Sequence, residues 1–289
     1  MNLCAARAAS LLSAGAMAGL LVPGAVGAQA RRDFSASRQL HGETRLTARI
    51  EYGAGTLRVA PASGTDLYRL VMSYDGERYT PLSTFDAGSG TVRLGLTGAG
   101  AGGFHIGSRR QLEQTAFVTL SPSVGLDLSL ELGAVESDIE LGGLQLTDLR
   151  LSTGASRTTL RFSRPNAARC GQATLSAGAA DMSVLGLGNS RCRSVRFEGG
   201  VGKILLDLTG AWPSDARVSV QMAVGALTLR LPRDLGIRLT LDRFLSSFPA
   251  TGWTRQGNAY LSPGYAQATR HLDLALSSTL GGIDVEWVN

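Results

Sequence analysis

The sequence predicts an all-β protein: a stacked repeat β-solenoid similar to a parallel β-helix, with an N-terminal β capping unit. Glycine is abundant, at 37 of 289 residues, while aromatic residues make up only 6% of the chain. Alternating apolar and polar residues also recur on both sides of small residues, as in LSLELGAVESDIELGGL at 128–144. Alternation at period two indicates strands with one buried face, and small residues between them indicate tight corners.

Six copies of this phrase align on a small central residue, here called the corner residue. The corner residues are Gly133, Gly154, Gly178, Gly200, Ala223 and Thr279, at spacings of 21, 24, 22, 23 and 56 residues. The positions five and three before each corner, and six after it, are apolar in every copy. One copy cannot bury its apolar face, whereas copies of equal length stacked in register bury it together. We therefore expect parallel coils, the alternative being a β-sandwich of meandering hairpins.

The first 30 residues have the features of a secretory signal peptide. Arg7 precedes a small, apolar run from Ala8 to Ala28, and an Ala-Gln-Ala cleavage pattern ends at Ala30. The alternative is a membrane anchor, but glycines and Pro23 interrupt the run next to the cleavage pattern. We expect an exported protein, located in the periplasm or at the cell surface, that meets the membrane only through this peptide during export.

The remaining chain divides into three parts. Residues 31–40 are polar and expected to be flexible, residues 41–125 form an N-terminal β unit that caps the stack, and residues 126–289 hold the solenoid repeats. The Asp75-Gly76 pair within the N-terminal unit is a strong turn signal and predicts a β-hairpin. An aromatic-rich insert occupies residues 242–271 of the solenoid.

Two cysteines occupy equivalent positions in neighbouring copies. Cys170 and Cys192 each lie eight residues before a corner residue. Stacked coils would bring them to the separation that a disulfide needs, and an exported protein meets an oxidising compartment. We predict a disulfide rather than two buried thiols, since two cysteines without matched histidines make a poor zinc site.

A column of alternating charge is also expected. Three residues after four successive corners the chain carries Glu136, Arg157, Asp181 and Lys203. Parallel stacking would make them vertical neighbours in an acid–base ladder, and a slip in register would bring like charges together. The alternative is a chance alternation.

The insert concentrates aromatic side chains, which we take as candidate binding residues. They are Phe244, Phe248, Trp253, Tyr260 and Tyr265. Insertions in repeat proteins often lie on a binding face, and aromatic rings can stack on sugars or anchor a partner. The alternative is a loop folded back over the solenoid, with these rings as its own small core.

Catalytic and metal-binding motifs are not expected. His41, His105 and His271 show neither metal-ligand spacing nor a triad pattern. The G-x-G-x-x-G pattern within residues 98–107 lacks the helix that a dinucleotide site requires, so a Gly-rich hairpin loop is expected there. We therefore predict no cofactor, no metal and no enzymatic activity.

Several phrases together carry a resemblance to a known family. They are IEYGAGTLRV, LELGAVESDIEL, LGLGNSRCRSVRFEGGVGKILLDL, LSSTLGGIDVEWV and the insert DRFLSSFPATGWTRQGNAYLSPGY. Over residues 41–289 the chain resembles the toast-rack family of exported bacterial domains, and more widely the adhesin-like solenoids and LiaF-like C-terminal domains. The resemblance implies an all-β toast-rack fold and supplies no catalytic residues.

These features predict a non-enzymatic cell-envelope or surface protein, an adhesin-like binding scaffold whose partner is an envelope polymer or protein. Nucleic acid is not expected as a partner, because the 28 basic residues are interleaved with 23 acidic ones rather than clustered. The alternative is a carbohydrate-active β-helix enzyme acting on an envelope or extracellular polysaccharide, which would need acidic or arginine side chains beside a groove. A further reading is a filament built by end-to-end stacking.

Overall fold

A computed structural model describes residues 31–98 and 113–289. These residues form fifteen strands in one sheet: β1 Arg31–Gln39, β2 Arg45–Pro61, β3 Asp66–Asp75, β4 Tyr79–Asp86, β5 Thr91–Gly98, β6 Thr115–Leu120, β7 Gly125–Glu140, β8 Gln145–Arg161, β9 Cys170–Leu185, β10 Cys192–Asp207, β11 Ala216–Pro232, β12 Gly236–Ser247, β13 Thr254–Gln256, β14 Ala259–Leu261 and β15 His271–Val288. Within the two described ranges, no helix has the length and apolar character needed to span a lipid bilayer. The predicted signal peptide and most of the Gly-rich loop, His105 included, lie outside the described residues.

The long strands run parallel and in register, so each of them is one coil of a stack. Leu128 of β7 pairs with Leu149 of β8, which pairs with Ala173 of β9. The side chains five and three positions before every corner residue are at most 2% exposed. Burial of one such leucine or valine contributes about 1.5–3 kcal/mol. The predicted solenoid is confirmed, and the meandering sandwich is not found.

The corners differ from the strand–turn–strand arrangement that the sequence suggested. Each long strand bends at its corner without ending there, and the neighbouring coil follows it closely. A β-carbon on Gly133 would lie 2.2 Å from the carbonyl oxygen of Gly53, and one on Gly200 would lie 2.6 Å from that of Gly178. Glycine is therefore needed for the close approach of two main chains. The positive φ expected at the corner occurs instead two residues later, as at Gly202 (φ 148°) and Gly225 (φ 140°).

The outermost coil at each end of the stack is out of sequence order. At the C-terminal end β15 lies between β11 and β12, since Leu274 pairs with Val218 on one side and Leu239 on the other. The spacing of 56 residues between the last two corners therefore contains an outer strand, β12, whose second half forms the start of the predicted insert. At the other end β5 and β6 together form the outer coil, pairing with β2 before and after its corner.

The N-terminal end is capped differently from the sequence expectation. Asp75 and Gly76 do join two strands, but the predicted hairpin is wrong: β3 pairs with β1 and β6, whereas β4 pairs with β5. The turn signal is local, whereas the pairing partners are set by β5 and β6, the two strands of the outer coil. Because β3 pairs with β6 and β4 pairs with β5, the two strands do not pair with each other.

Residues 31–40, expected to be flexible, contain strand β1. Nine residues of β1 pair antiparallel with β3. Phe34 packs against the core, and the guanidinium carbon of Arg38 lies 4.2 Å from the centre of the Phe85 ring. Main-chain pairing and these two contacts order a segment whose polar composition pointed to flexibility.

The four residues of the predicted charge ladder are stacked in the expected register, but the ion pairs between coils involve other residues. Glu136, Arg157, Asp181 and Lys203 are successive neighbours and are exposed. Among the described residues no ion pair joins these four, in keeping with the weak gain of exposed pairs, at most about 1 kcal/mol. Ion pairs form four positions further along the coils. There Arg230 lies 3.6 Å from Asp207 and 3.3 Å from Glu286 on the coils to either side.

The disulfide predicted between Cys170 and Cys192 is present. The two residues are ladder partners at the starts of β9 and β10, their Cα atoms lie 4.1 Å apart, and both are buried. The bond ties two neighbouring coils together and closes a loop across 22 residues of sequence.

Removal of the disulfide should therefore destabilise the fold. We expect the double variant Cys170→Ala/Cys192→Ala to lose about 3 kcal/mol of unfolding free energy, because the unfolded chain regains loop entropy. Urea denaturation followed by circular dichroism measures the difference, with wild-type protein kept oxidised as the reference. A loss below about 1 kcal/mol would contradict the entropic account.

The close approach at the corners predicts a sharp contrast between two glycines of β7. Gly133→Ala places a methyl group against the Gly53 carbonyl and should cost about 1–3 kcal/mol, as overpacking usually does. Gly125→Ala is the control in the same strand, because its β-carbon would have no neighbour closer than 3.6 Å. Thermal unfolding of both variants tests this, and equal melting temperatures would show that the corner tolerates a side chain.

Candidate functional site

A groove runs along the corners of five successive coils, β8, β9, β10, β11 and β15. Its volume is about 580 Å³. The corner residues lining it are small, among them Gly178, Gly200 and Ala223, so the main chain itself forms much of its floor. We call this feature the corner groove. It exists because the corner residues have small side chains or none.

The corner groove is polar and carries little charge. The residues two positions before each corner line it with hydroxyl, amide and carboxylate groups, from Ser152, Ser176, Glu198, Gln221 and Ser277. Glu198 is the one charged residue in this lining. The hydroxyl and amide groups form no hydrogen bond with other described residues, so their donors and acceptors are available to a ligand.

An exposed apolar row lies directly beside the corner residues. Val201, Val224, Leu280 and Leu245 each follow the corner position of their coil and are successive ladder partners. Their exposed fractions are 56%, 39%, 45% and 64%. We call this row the apolar ridge. Contiguous exposed apolar surface of this kind marks interaction sites in soluble proteins.

The structure separates the five aromatic residues of the insert. The Phe248 ring centre lies 6.1 Å from that of Trp253 and 5.5 Å from that of Tyr260, and Trp253 lies 5.2 Å from Trp287. This cluster packs against the solenoid core, as the self-packed alternative described. The indole nitrogen of Trp253 is buried there without a hydrogen-bond partner among the described residues.

The other two aromatic residues lie apart from this cluster. The Tyr265 ring centre lies 4.7 Å from that of His271. Phe244 is 78% exposed on β12, next to Leu245 of the apolar ridge. The five residues therefore do not form one surface, and their role in binding stays a prediction.

The described part of the chain contains no candidate metal site. No group of three or more histidine, cysteine, aspartate or glutamate side chains lies there in a position to hold an ion. Burial raises the pKa of the Tyr52 hydroxyl, and it also raises the pKa of Tyr68 and of Tyr79. These three tyrosines belong to the N-terminal end of the core, away from the corner groove.

The corner groove was not predicted from the sequence, although both of its signals are present in the repeats. The small corner residues were interpreted only as a means of turning the chain. The polar residues two positions before each corner were given no role. Only the stacking register shows that these two columns run side by side across five coils.

Comparison with known protein families supports the fold assignment. Residues 27–185 match the family described as the N-terminal domain of toast_rack, DUF2154. The comparison with curated proteins gives no match. A solved structure described as a "putative cell adhesion protein" from Clostridium sporogenes ATCC 15579 is 15% identical, with a TM-score of 0.47 over 89% of this chain and 100% of its own.

A second solved structure, described as a "putative adhesin" from Bacteroides fragilis NCTC 9343, is similar over 88% of this chain and 97% of its own. It is 11% identical, with a TM-score of 0.42. The family match spans more than half of the 289 residues and includes the coils β7, β8 and β9. The chain therefore belongs to the toast-rack family, through its N-terminal domain.

Proposed function

We propose that this chain is an exported, non-enzymatic scaffold of the cell envelope that holds an extended, uncharged glycan in the corner groove. One observation carries the proposal. The groove presents hydroxyl and amide side chains on successive coils, with Glu198 as its one charged residue.

The repeat supplies similar polar groups at a regular spacing along the groove. Neighbouring strands of a sheet lie about 4.8 Å apart. A polymer that crosses five coils therefore meets the same kind of polar position at each step. Hydroxyl and amide groups can both donate and accept hydrogen bonds, which suits the hydroxyl groups of sugars. Because the sheet holds the main chain of these residues in place before binding, little backbone conformational entropy is lost on association.

The charge of the groove favours an uncharged ligand over a polyanion. Nucleic acids and other anionic polymers are held through lysine and arginine side chains. The residues that line the groove include neither. The basic residues that give the chain its formal net charge of +5 lie outside the lining of the groove.

The same lining supports binding without hydrolysis. Most glycosidases place two carboxyl groups about 5–9.5 Å apart on either side of the bond that they cleave. Glu198 has no second carboxylate beside it in the lining. A glycan in this groove would therefore lack the acid and base pair that hydrolysis normally uses.

Export is supported by the disulfide together with the N-terminal sequence. A buried disulfide such as Cys170–Cys192 persists in oxidising compartments and is rare in the cytosol. The apolar, small-residue run that ends at Ala30 is typical of a secretory signal.

Glycan binding can be tested by blocking the groove. The purified chain should bind fragments of neutral envelope polysaccharide on a glycan array and in calorimetry. Gln221→Trp fills the groove and should weaken binding at least about tenfold, equivalent to about 1.4 kcal/mol. Arg217→Trp is the matched control, because Arg217 is exposed on the same strand and does not line the groove.

Equal binding by wild type and both variants would show that the glycan sits elsewhere. Absence of binding to any neutral glycan would overturn the proposal. Release of new reducing ends from the fragments would show instead that the groove is an enzyme site.

A further inference from the structure

We propose that the C-terminal edge of the stack pairs with the same edge of a second copy of this chain. The pairing segment is residues 241–247 of β12, here called the free edge. It would run antiparallel to its counterpart about a two-fold axis at Phe244. This inference does not depend on the proposed glycan-binding function.

The free edge has a strand on one side only. β12 pairs with β15 from Gly236 to Ser247. On its other side β14 pairs only with the three residues Arg238, Leu239 and Thr240. Among the described residues no strand covers 241–247 on that side. Its outward-facing main-chain groups are thus open to another strand.

The other edges of the sheet carry features that discourage pairing. β1 holds three arginines, β4 contains Pro81, and β13 is only three residues long. Charge, proline and short length are the usual means of protecting an edge strand. The free edge instead exposes Phe244 by 78% and Leu245 by 64%. An uncovered edge that exposes two large apolar side chains, in a sheet whose other edges are protected, points to an interface.

The shape of the free edge favours a second copy as its occupant. Phe244 lies at the bend of β12, because its neighbours Arg243 and Leu245 pair with Ser278 and Leu280 on either side of the Thr279 corner. Three uncovered residues extend on each side of this bend. A two-fold axis along the bisector of the bend would lay the edge on a reversed copy of itself. All seven residues would then have a partner, and the two Phe244 rings would meet near the axis.

The charges of the free edge are compatible with self-association. Asp242 and Arg243 are adjacent, and neither has an ion-pair partner among the described residues. The Arg243 guanidinium donates only to the Ser246 carbonyl of its own strand, at 3.1 Å. The segment is therefore electrically neutral, and two reversed copies approach without a net like-charge repulsion.

This geometry gives a closed dimer. A two-fold interface uses the same patch on both subunits and leaves no second copy of that patch free. The opposite end of each stack is covered by β1, β3 and β4, so growth from that end is blocked. Pairing of the two free edges therefore predicts a closed dimer, in contrast to the filament considered in the sequence analysis.

Analytical ultracentrifugation over a wide concentration range tests the proposal. The wild-type chain should form a dimer, and amide hydrogen exchange within 241–247 should slow as the dimer forms. The double variant Phe244→Lys/Leu245→Lys should raise the dimer dissociation constant at least tenfold. Both side chains are largely exposed, so its melting temperature should stay close to that of wild type.

Val201→Lys is the matched control. It lies on the same apolar ridge but three strands from the free edge, and it should leave the dimer intact. A wild-type chain that is monomeric at every concentration overturns the proposal. So does a dimer that tolerates the double lysine variant, or one that Val201→Lys disrupts equally. Gln221→Trp should not change dimerisation, so failure of the glycan proposal and failure of this one are distinguishable.

Discussion

The close approach of neighbouring main chains at the corners is the constraint on which the rest of the structure depends. The long strands bend at one position, and a β-carbon at the corners Gly133 and Gly200 would lie within 2.6 Å of the carbonyl oxygen of the preceding coil. Glycine avoids this contact at both positions, and at Gly154 and Gly178 the corresponding distance is 3.1 Å, so the fit there is tight. Because the bends coincide, the inward columns before and after them remain in register and bury a continuous core.

The same constraint determines which surfaces are available for function. Small corners leave a channel along the stack, and the row beside them is free to carry apolar residues that increase in size from Ala155 and Ala179 to Val201 and Leu280. The core depends neither on the polar residues that line the corner groove nor on the apolar row beside the corners. Stability thus resides in the inward columns, the disulfide and the out-of-order end coils, while recognition can be changed on the outside without disturbing the coils.

The sequence predicted what depends on local alternation and equal repeat length. Burial of Leu128 and Leu130, the parallel register and the Cys170–Cys192 pairing all follow from aligning the copies. It failed where the pairing partner is chosen by distant parts of the chain. The turn at Asp75-Gly76 does not indicate which strand of the outer coil, β5 or β6, each neighbouring strand pairs with. No local signal shows that β15 lies between β11 and β12. The corner groove was missed because it exists only between columns from different coils.

The corner groove and the free edge lie close together, and this gives the two proposals a combined consequence. The last groove residues, Ser277 and Thr279, belong to β15, which is the immediate neighbour of β12. A dimer formed through β12 would bring two grooves towards one junction and fix their relative orientation. When two rigidly linked grooves bind the same polymer, binding in the first groove raises the effective concentration for binding in the second. Weak contacts in each open groove could then hold an envelope glycan firmly, without a deep pocket in either subunit.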